Sequence, residues 1–439
     1  MNATYESASP PLPIAERTRR RITRRLLPFL FVLYIVAYID RVNLSYAGLE
    51  MTKELGFSNE VYGFGSGIFF IGYVLLEIPG TLLVELWSAR KWISRIMISW
   101  GLVAALTGLI HTRQEFYWAR FLLGVAEAGF FPGVIVYLAH WFRKEDRGKA
   151  TAMFSAAIPL SQVLGSPISG LLMKIHWLGY SGWRWLLILE GVPAIILGIV
   201  TFYYLTDRPE DAKWLPEDEK KWLAKELEAE KQSFGAKQKG DVWRAFARPE
   251  IILLTIVYFL STNFNYGLQL WLPKMLQKLS GYSPLTVTLL SAIPFLAAWP
   301  AVIFVGWNSD RTKERRIHTS VCMLVAGAGL ALSLGTGNIL LGMTAFTIAA
   351  MGIMARMAPF WSMPSAFLSG AAAAAVVGSI NCVGNLGGFV GPYIVGYLTD
   401  RTHSFTAGMV YLVGTALLAA VLVLFVRPRL SCGHGRGTD

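Results

Sequence analysis

The sequence predicts an all-α membrane protein of twelve spanning helices in two pseudo-symmetric six-helix bundles, and three observations predict it. Hydrophobic residues fill 54% of the 439 positions and charged residues only 15%, whereas a soluble domain carries roughly 25% charge. Apolar stretches such as 183–205, 251–271 and 407–426 reach the ~20 residues a helix needs to cross ~30 Å of hydrocarbon. Two landmarks also recur at one spacing: Gly80 and Gly306 lie 226 apart, Pro167 and Pro392 lie 225 apart. That spacing indicates a duplicated six-helix unit. A transmembrane barrel would instead show ~10-residue alternating segments.

The spans read, in order, as 26–48, 60–85, 93–111, 116–141, 148–174 and 184–205, then 250–275, 286–307, 317–336, 339–365, 373–398 and 406–426. An N-terminal segment, 1–25, precedes the first bundle at 26–205; a linker at 206–249 leads to the second bundle at 250–426, and 427–439 is a tail. Span one places Asp40 and Arg41 near mid-depth. Its first apolar run imitates a signal peptide, but Asp40-Arg41 and more span follow with no small-residue cleavage site, so it is read as retained. Span two carries Tyr73 and Glu77 and exits through Gly80 to Glu85, followed by Arg90-Lys91. Span four sets Arg120 and Glu127 seven residues apart, hence on one face. Span five carries Gln162 ahead of Gly165 and Pro167; such breakers are tolerated where neighbouring helices satisfy the freed backbone. The linker holds a charged helix-like run at 217–231, read as a solvated face. Span seven is polar at Asn263, Asn265 and Tyr266. Span eight exits through Gly306 to Asp310-Arg311, followed by Arg315-Arg316. Spans ten and eleven contribute Arg356, Trp361 and Asn381.

The distribution of cations orients the chain and explains its charge. Thirty of the forty Lys and Arg side chains fall on the N-terminal segment, the even-side loops and the tail; seven fall on the opposite side. By the positive-inside rule both termini are expected in the cytoplasm. The net charge of +12 is therefore topological, and no nucleic-acid partner is expected. The three cysteines are far apart and the six histidines show no ligand spacing, which suggests neither a disulfide framework nor a metal site. No nucleophile elbow or phosphate loop occurs, so an enzyme is not expected. Duplicated bundles with a central site are the architecture of alternating-access carriers.

At this point the residues resemble the major facilitator superfamily. Gly306–Arg316 fits its Gly-x-x-x-Asp-Arg-x-x-x-Arg-Arg signature. The first-half copy departs from it, with Glu85 near the Asp position and Arg90 later. Tyr38-Ile-Asp40-Arg41-Val-Asn43, the run Ala119 to Gly133, Pro359-Phe-Trp361 with Phe367 to Gly370, and Asn381 to Pro392 resemble the anion:cation symporters, in particular organic-acid permeases of the tartrate/phthalate type.

The resemblance implies a secondary transporter importing a small organic anion by proton symport: a hydroxy dicarboxylate such as tartrate, a sugar acid or an aromatic acid. It implies protonation at Asp40 and Glu127, and anion holding by Arg41 or Arg120. Tyr38, Tyr73, Trp361 and Asn381 match binding positions, while Gln162 sits one turn from the usual polar position, here Ile158. Chemistry supports the mix. A buried ionisable side chain costs at least ~2.5–3.5 kcal/mol on insertion scales, and a guanidinium offers a planar fork that fits a carboxylate. The bland alternative is ion pairs that only fix helix packing. Arg356 stands where this family more often has a small or apolar residue; it either snorkels or meets a neutralising group, or else adds a third guanidinium to the cavity. Tyr266, in the polar patch of span seven, is a further candidate for binding. Glu85, Arg90, Asp310, Arg311 and Arg315 are expected to gate. The competing reading is a proton antiporter expelling drug-like compounds, whose Gly-Pro-x-x-Gly-Gly element is only partly matched at Gly165–Gly170. No cofactor beyond a coupling proton, a monomer, and a bacterial-type inner membrane are expected.

Overall fold

The computed structural model describes residues 13–233, 248–364 and 370–426, and among these the chain is helical. The first bundle comprises α1 (Ile14–Glu54), α2 (Asn59–Leu86), α3 (Ala89–Thr107), α4 (Arg113–Glu127), α5 (Phe130–Ala139), α6 (Lys144–Ser155), α7 (Ala157–Leu172) and α8 (Gly182–Tyr204). The linker contains α9 (Glu217–Ser233). The second bundle comprises α10 (Pro249–Ser280), α11 (Pro284–Thr312), α12 (Arg315–Leu332), α13 (Ile339–Ala355), α14 (Met357–Trp361), α15 (Gly370–Asn385), α16 (Gly387–Thr402) and α17 (Phe405–Leu424). Eight rods, counting α4–α5 and α13–α14 as one each, are long and apolar enough to cross a membrane. With α3, α6–α7, α12 and α15–α16 they make the twelve spans.

Polar side chains start several of these helices where the chain turns. Ser58, Ser88, Thr112, Ser283, Asn338 and Ser404 each accept from a first-turn backbone N–H, as N-caps do. Thr112 and Glu115 form a reciprocal capping box.

Four spans are broken, and the breaks come in pairs. Span four breaks at Ala128-Gly129 and span ten at Arg356; span five breaks at Ala156 and span eleven at Leu386. Span four pairs with ten and five with eleven under the duplication. Interrupted helices at corresponding places in two repeats point to a shared site between them. At Gly129 the backbone has φ +82°, and a Cβ there would stand 2.9 Å from the carbonyl carbon of Gly80. Both the torsion and the contact require glycine.

The halves meet on the face opposite the described ends of the chain. Tyr62 donates to the carbonyls of Leu44, at 3.1 Å, and Leu270, at 3.3 Å. Ser166 donates to the Thr288 carbonyl. The Asp400 carboxylate accepts from the Asn59 N–H at 3.1 Å, the Asn59 amide at 2.8 Å and the Glu60 N–H at 2.7 Å, capping α2 from the other half. Outside this seal lies a vestibule of about 730 Å³ whose walls include Lys53, Lys274, Tyr282 and Asp400.

On the other face the described ion pairs stay within one half or tie the linker to it. Here the structure corrects the sequence reading of the linker. Glu219 is fully buried, paired with Arg17 at 2.9 Å and Arg21 at 3.2 Å. Arg147 pairs with Glu230 at 2.7 Å, and Trp214 stacks on Trp141. α9 docks on the first bundle because one side of it is apolar at Leu223 and Leu227; its charges are not simply solvated. α1 also starts at Ile14, twelve residues before the apolar run, so the N-terminal arginines that meet α9 are helical.

Candidate functional site

Two neighbouring residues on α1 go to different places. Successive side chains on a helix are about 100° apart. Asp40 accordingly turns toward α3, where Trp100 Nε1 donates to it, and Asn43 Nδ2 donates from one turn on at 2.7 Å. Arg41 turns inward and pairs with Glu127 of α4. Of the two internal ion pairs the sequence allowed, one therefore forms: neither Asp40 with Arg41 nor Asp40 with Arg120 is within pairing distance.

Arg41 organises the first-half side of the site. Its guanidinium carbon stands 5.8 Å from the Tyr38 ring centre, 5.3 Å from Tyr73 and 5.6 Å from Phe69. Arg41 also donates across to Tyr266 Oη of α10 at 3.5 Å. Arg120 lies 5.1 Å from the same Phe69 ring, so the two arginines flank one aromatic.

The second-half side is built on Tyr258, which the sequence reading does not single out. Arg356 lies 5.6 Å from the Tyr258 ring centre and 5.9 Å from Phe360. Trp361 meets the Tyr258 ring edge-on at 4.8 Å. Tyr258 Oη donates to Asn381 Oδ1 at 3.3 Å, and Asn381 Nδ2 donates to Glu77 of the first half. Tyr266 lies within electrostatic reach of both Arg41 and Arg356, so it stands between the two sides. Arg356 does not snorkel: it is 3% exposed at the break of span ten.

Arg120 is also 3% exposed. Neither Arg120 nor Arg356 has a carboxylate within ion-pair distance among the described residues. Gln162 on α7 and Gln269 on α10 are buried, and both atoms of each amide lack a hydrogen-bond partner. The sequence reading includes Gln162 but not Gln269, whose only signal is a polar residue six beyond Asn263 in an apolar span. Asn263 instead donates to Tyr411 within its own bundle at 2.8 Å.

The expected gating residues make local contacts here. Glu85 meets His140 at 2.7 Å and Arg208 at 3.9 Å. The Arg90 guanidinium is 4.0 Å from Asp207. Asp310 pairs with Arg315 at 2.6 Å across the turn between α11 and α12, and Arg311 lies over Trp307. None bridges the halves. Phe367 to Ser369, part of one sequence motif, lie outside the described residues.

Comparison with known proteins follows the same line. The sequence profile described as "Major Facilitator Superfamily" matches residues 30–392. A protein of Agrobacterium vitis named "Putative tartrate transporter" is 46% identical over 411 residues, covering 93% of this chain and 91% of its own. A "Quinolone resistance transporter" of Acinetobacter baumannii is 36% identical over 412 residues, covering 94% of this chain and 95% of its own. Among solved structures, an inward-facing, occupied bacterial homologue of the human lysosomal transporter Spinster superposes with a TM-score of 0.73 at 16% identity. The match covers 91% of this chain and 96% of that one. This last likeness speaks to the fold alone.

Proposed function

Because this chain belongs to the Major Facilitator Superfamily, we propose that it imports a small organic dianion, a hydroxy dicarboxylate of the tartrate class, together with protons. One observation carries the reading. Arg120 and Arg356, one in each half, are buried guanidiniums with no carboxylate within ion-pair distance among the described residues. An unpaired buried charge is strongly unfavourable. A substrate with two carboxylates, held between the Arg41–Arg120 side and Arg356, supplies the missing counter-charges. The unpartnered amides of Gln162 and Gln269 offer neutral donors and acceptors suited to hydroxyl groups. The name of the Agrobacterium relative supports the same class of cargo.

Proton coupling follows from the carboxylates. Glu127 holds Arg41 in this structure. A substrate carboxylate that takes over the guanidinium leaves Glu127 without its cation, and a proton then replaces it. Asp40, held by two neutral donors, is the second carrier. On this reading the termini lie in the cytoplasm and the chain works as a monomer in a bacterial-type inner membrane, with the coupling proton entering from outside; the excess of Lys and Arg on one side supports that orientation. A second reading is proton antiport of drug-like compounds, which the Acinetobacter relative favours.

Uptake of labelled tartrate into proteoliposomes tests both. An inward proton gradient should drive accumulation, with proton entry on substrate addition in a weakly buffered lumen. Accumulation driven only by the opposite gradient would support export instead. No movement of any dicarboxylate under either gradient would discard the dianion assignment.

A further inference from the structure

Resting on the proton-symport reading above, we propose that Glu77 of α2 is a further proton carrier, loaded and unloaded as the two halves move against each other. Glu77 is 4% exposed. Its Oε1 accepts from the Asn381 amide, and its Oε2 is buried without a hydrogen-bond partner. No Lys or Arg lies within ion-pair distance of it among the described residues. The charged and titratable groups facing it are Arg41 of α1, Tyr73 of its own helix, Tyr258 of α10 and Cys382 of α15.

Comparison with the other buried carboxyls singles it out. Glu127 has a guanidinium. Asp40 has two donors. Glu190 accepts from Ser169, at 2.9 Å, inside one bundle, so motion between the halves leaves it untouched. Glu77 has a single amide donor, and that donor sits on the opposite half. An ionised carboxylate in a low-dielectric interior needs hydrogen bonds or a cation. Arg41 faces Glu77 from its own half; the Asn381 hydrogen bond is the support for the ionised form that exists only while α2 and α15 are in contact.

The direction of coupling follows. This structure is sealed on the vestibule face, and here the Asn381 donor is in place. Contact thus favours release of the proton from the Glu77 carboxyl to water on the terminus-bearing face. If the halves part at α2 and α15 in the opposite state, the amide is withdrawn and the same carboxylate takes a proton from the vestibule side. One proton per cycle moves toward the termini, the direction that import requires.

The test is the number of protons moved per tartrate, from reversal potentials in proteoliposomes, for wild type and Glu77→Gln. Glutamine keeps the oxygen that accepts from Asn381 and cannot ionise. The ratio should fall by one; as a ratio, it does not depend on how fast the variant works. An unchanged ratio overturns the proposal. Wild-type tartrate uptake without proton entry would instead sink the symport reading itself. Should Glu77→Gln fold, as judged by a monodisperse elution profile, but not transport, infrared difference spectra decide. A protonated-carboxyl band that titrates in wild type and is missing from the variant supports the role; identical spectra overturn it.

Discussion

Arg356 lies against the faces of Tyr258 and Phe360 and meets no carboxylate among the described residues. If it receives the second carboxylate of the substrate, Arg356→Ala removes the partner of a buried charge. That costs ~2–5 kcal/mol, roughly 30- to several-thousand-fold in affinity. A monocarboxylate analogue should respond much less, and lysine should rescue only in part because it lacks the fork. Uptake constants for the two analogues side by side check this; equal losses would remove Arg356 from the site. Asp40→Asn and Glu127→Gln address coupling. Each should abolish accumulation driven by a proton gradient, while at least one retains counterflow at equal pH. Full accumulation by both would reject the assignment. The sequence exposes every one of these ionisable residues, since a charge inside an apolar run is visible at once. It does not expose their partners. Asp40 finding Trp100 and Arg41 finding Glu127 depend on a rotation of about 100° along α1 and on which helix packs beside it.

The spans themselves are legible because each needs a long apolar run, and the observed rods lie where the runs predict. Their breaks are less so. Gly165 and Pro167, the conspicuous breaker pair in span five, lie inside continuous α7, whereas the break falls at Ala156. Neighbouring helices satisfy the backbone around a proline, so composition alone does not locate an interruption. Gly129 is different, because its torsion and its contact with Gly80 both exclude a side chain. Gly129→Ala should lower stability by about 1–3 kcal/mol, the usual cost of a strained backbone site, read as a lower melting temperature in detergent. Gly148, in α6, has nothing within 4 Å of the place a Cβ would take, and Gly148→Ala should melt at or above wild type. Equal shifts for the two would refute the strain at Gly129. The linker helix is misread from sequence because its charges are matched by arginines on α1 and by Arg143 and Arg147, a complementarity that exists only once the chain folds back.

At the scale of the whole molecule the duplication is readable from two spacings, but the state of the cleft is not, since one sequence must support both closures. The seal seen here hangs on Asp400, which accepts three hydrogen bonds at the start of α2 across the halves. A carboxylate at a helix N-terminus satisfies free N–H groups and opposes the positive end of the helix dipole. Losing such a cap costs about 0.5–2 kcal/mol, and one or two kcal/mol shifts a two-state ratio by roughly 5- to 30-fold. Asp400→Ala should therefore favour the state open on the vestibule face. Asp310, idle across the halves here and paired with Arg315, is expected to act when the terminus-bearing face closes. Asp310→Asn should then favour the state seen in this structure and slow turnover, with little change in substrate preference. Spin labels at Lys53 and Tyr282, which line the vestibule from opposite halves, report the outcome by pulsed distance measurement. Asp400→Ala should enrich the longer separation, Asp310→Asn the shorter, and the double variant should return toward wild type. A shift in the same direction for both single variants would show that the two carboxylates do not oppose each other. A change of selectivity in Asp310→Asn with turnover intact would place the latch elsewhere.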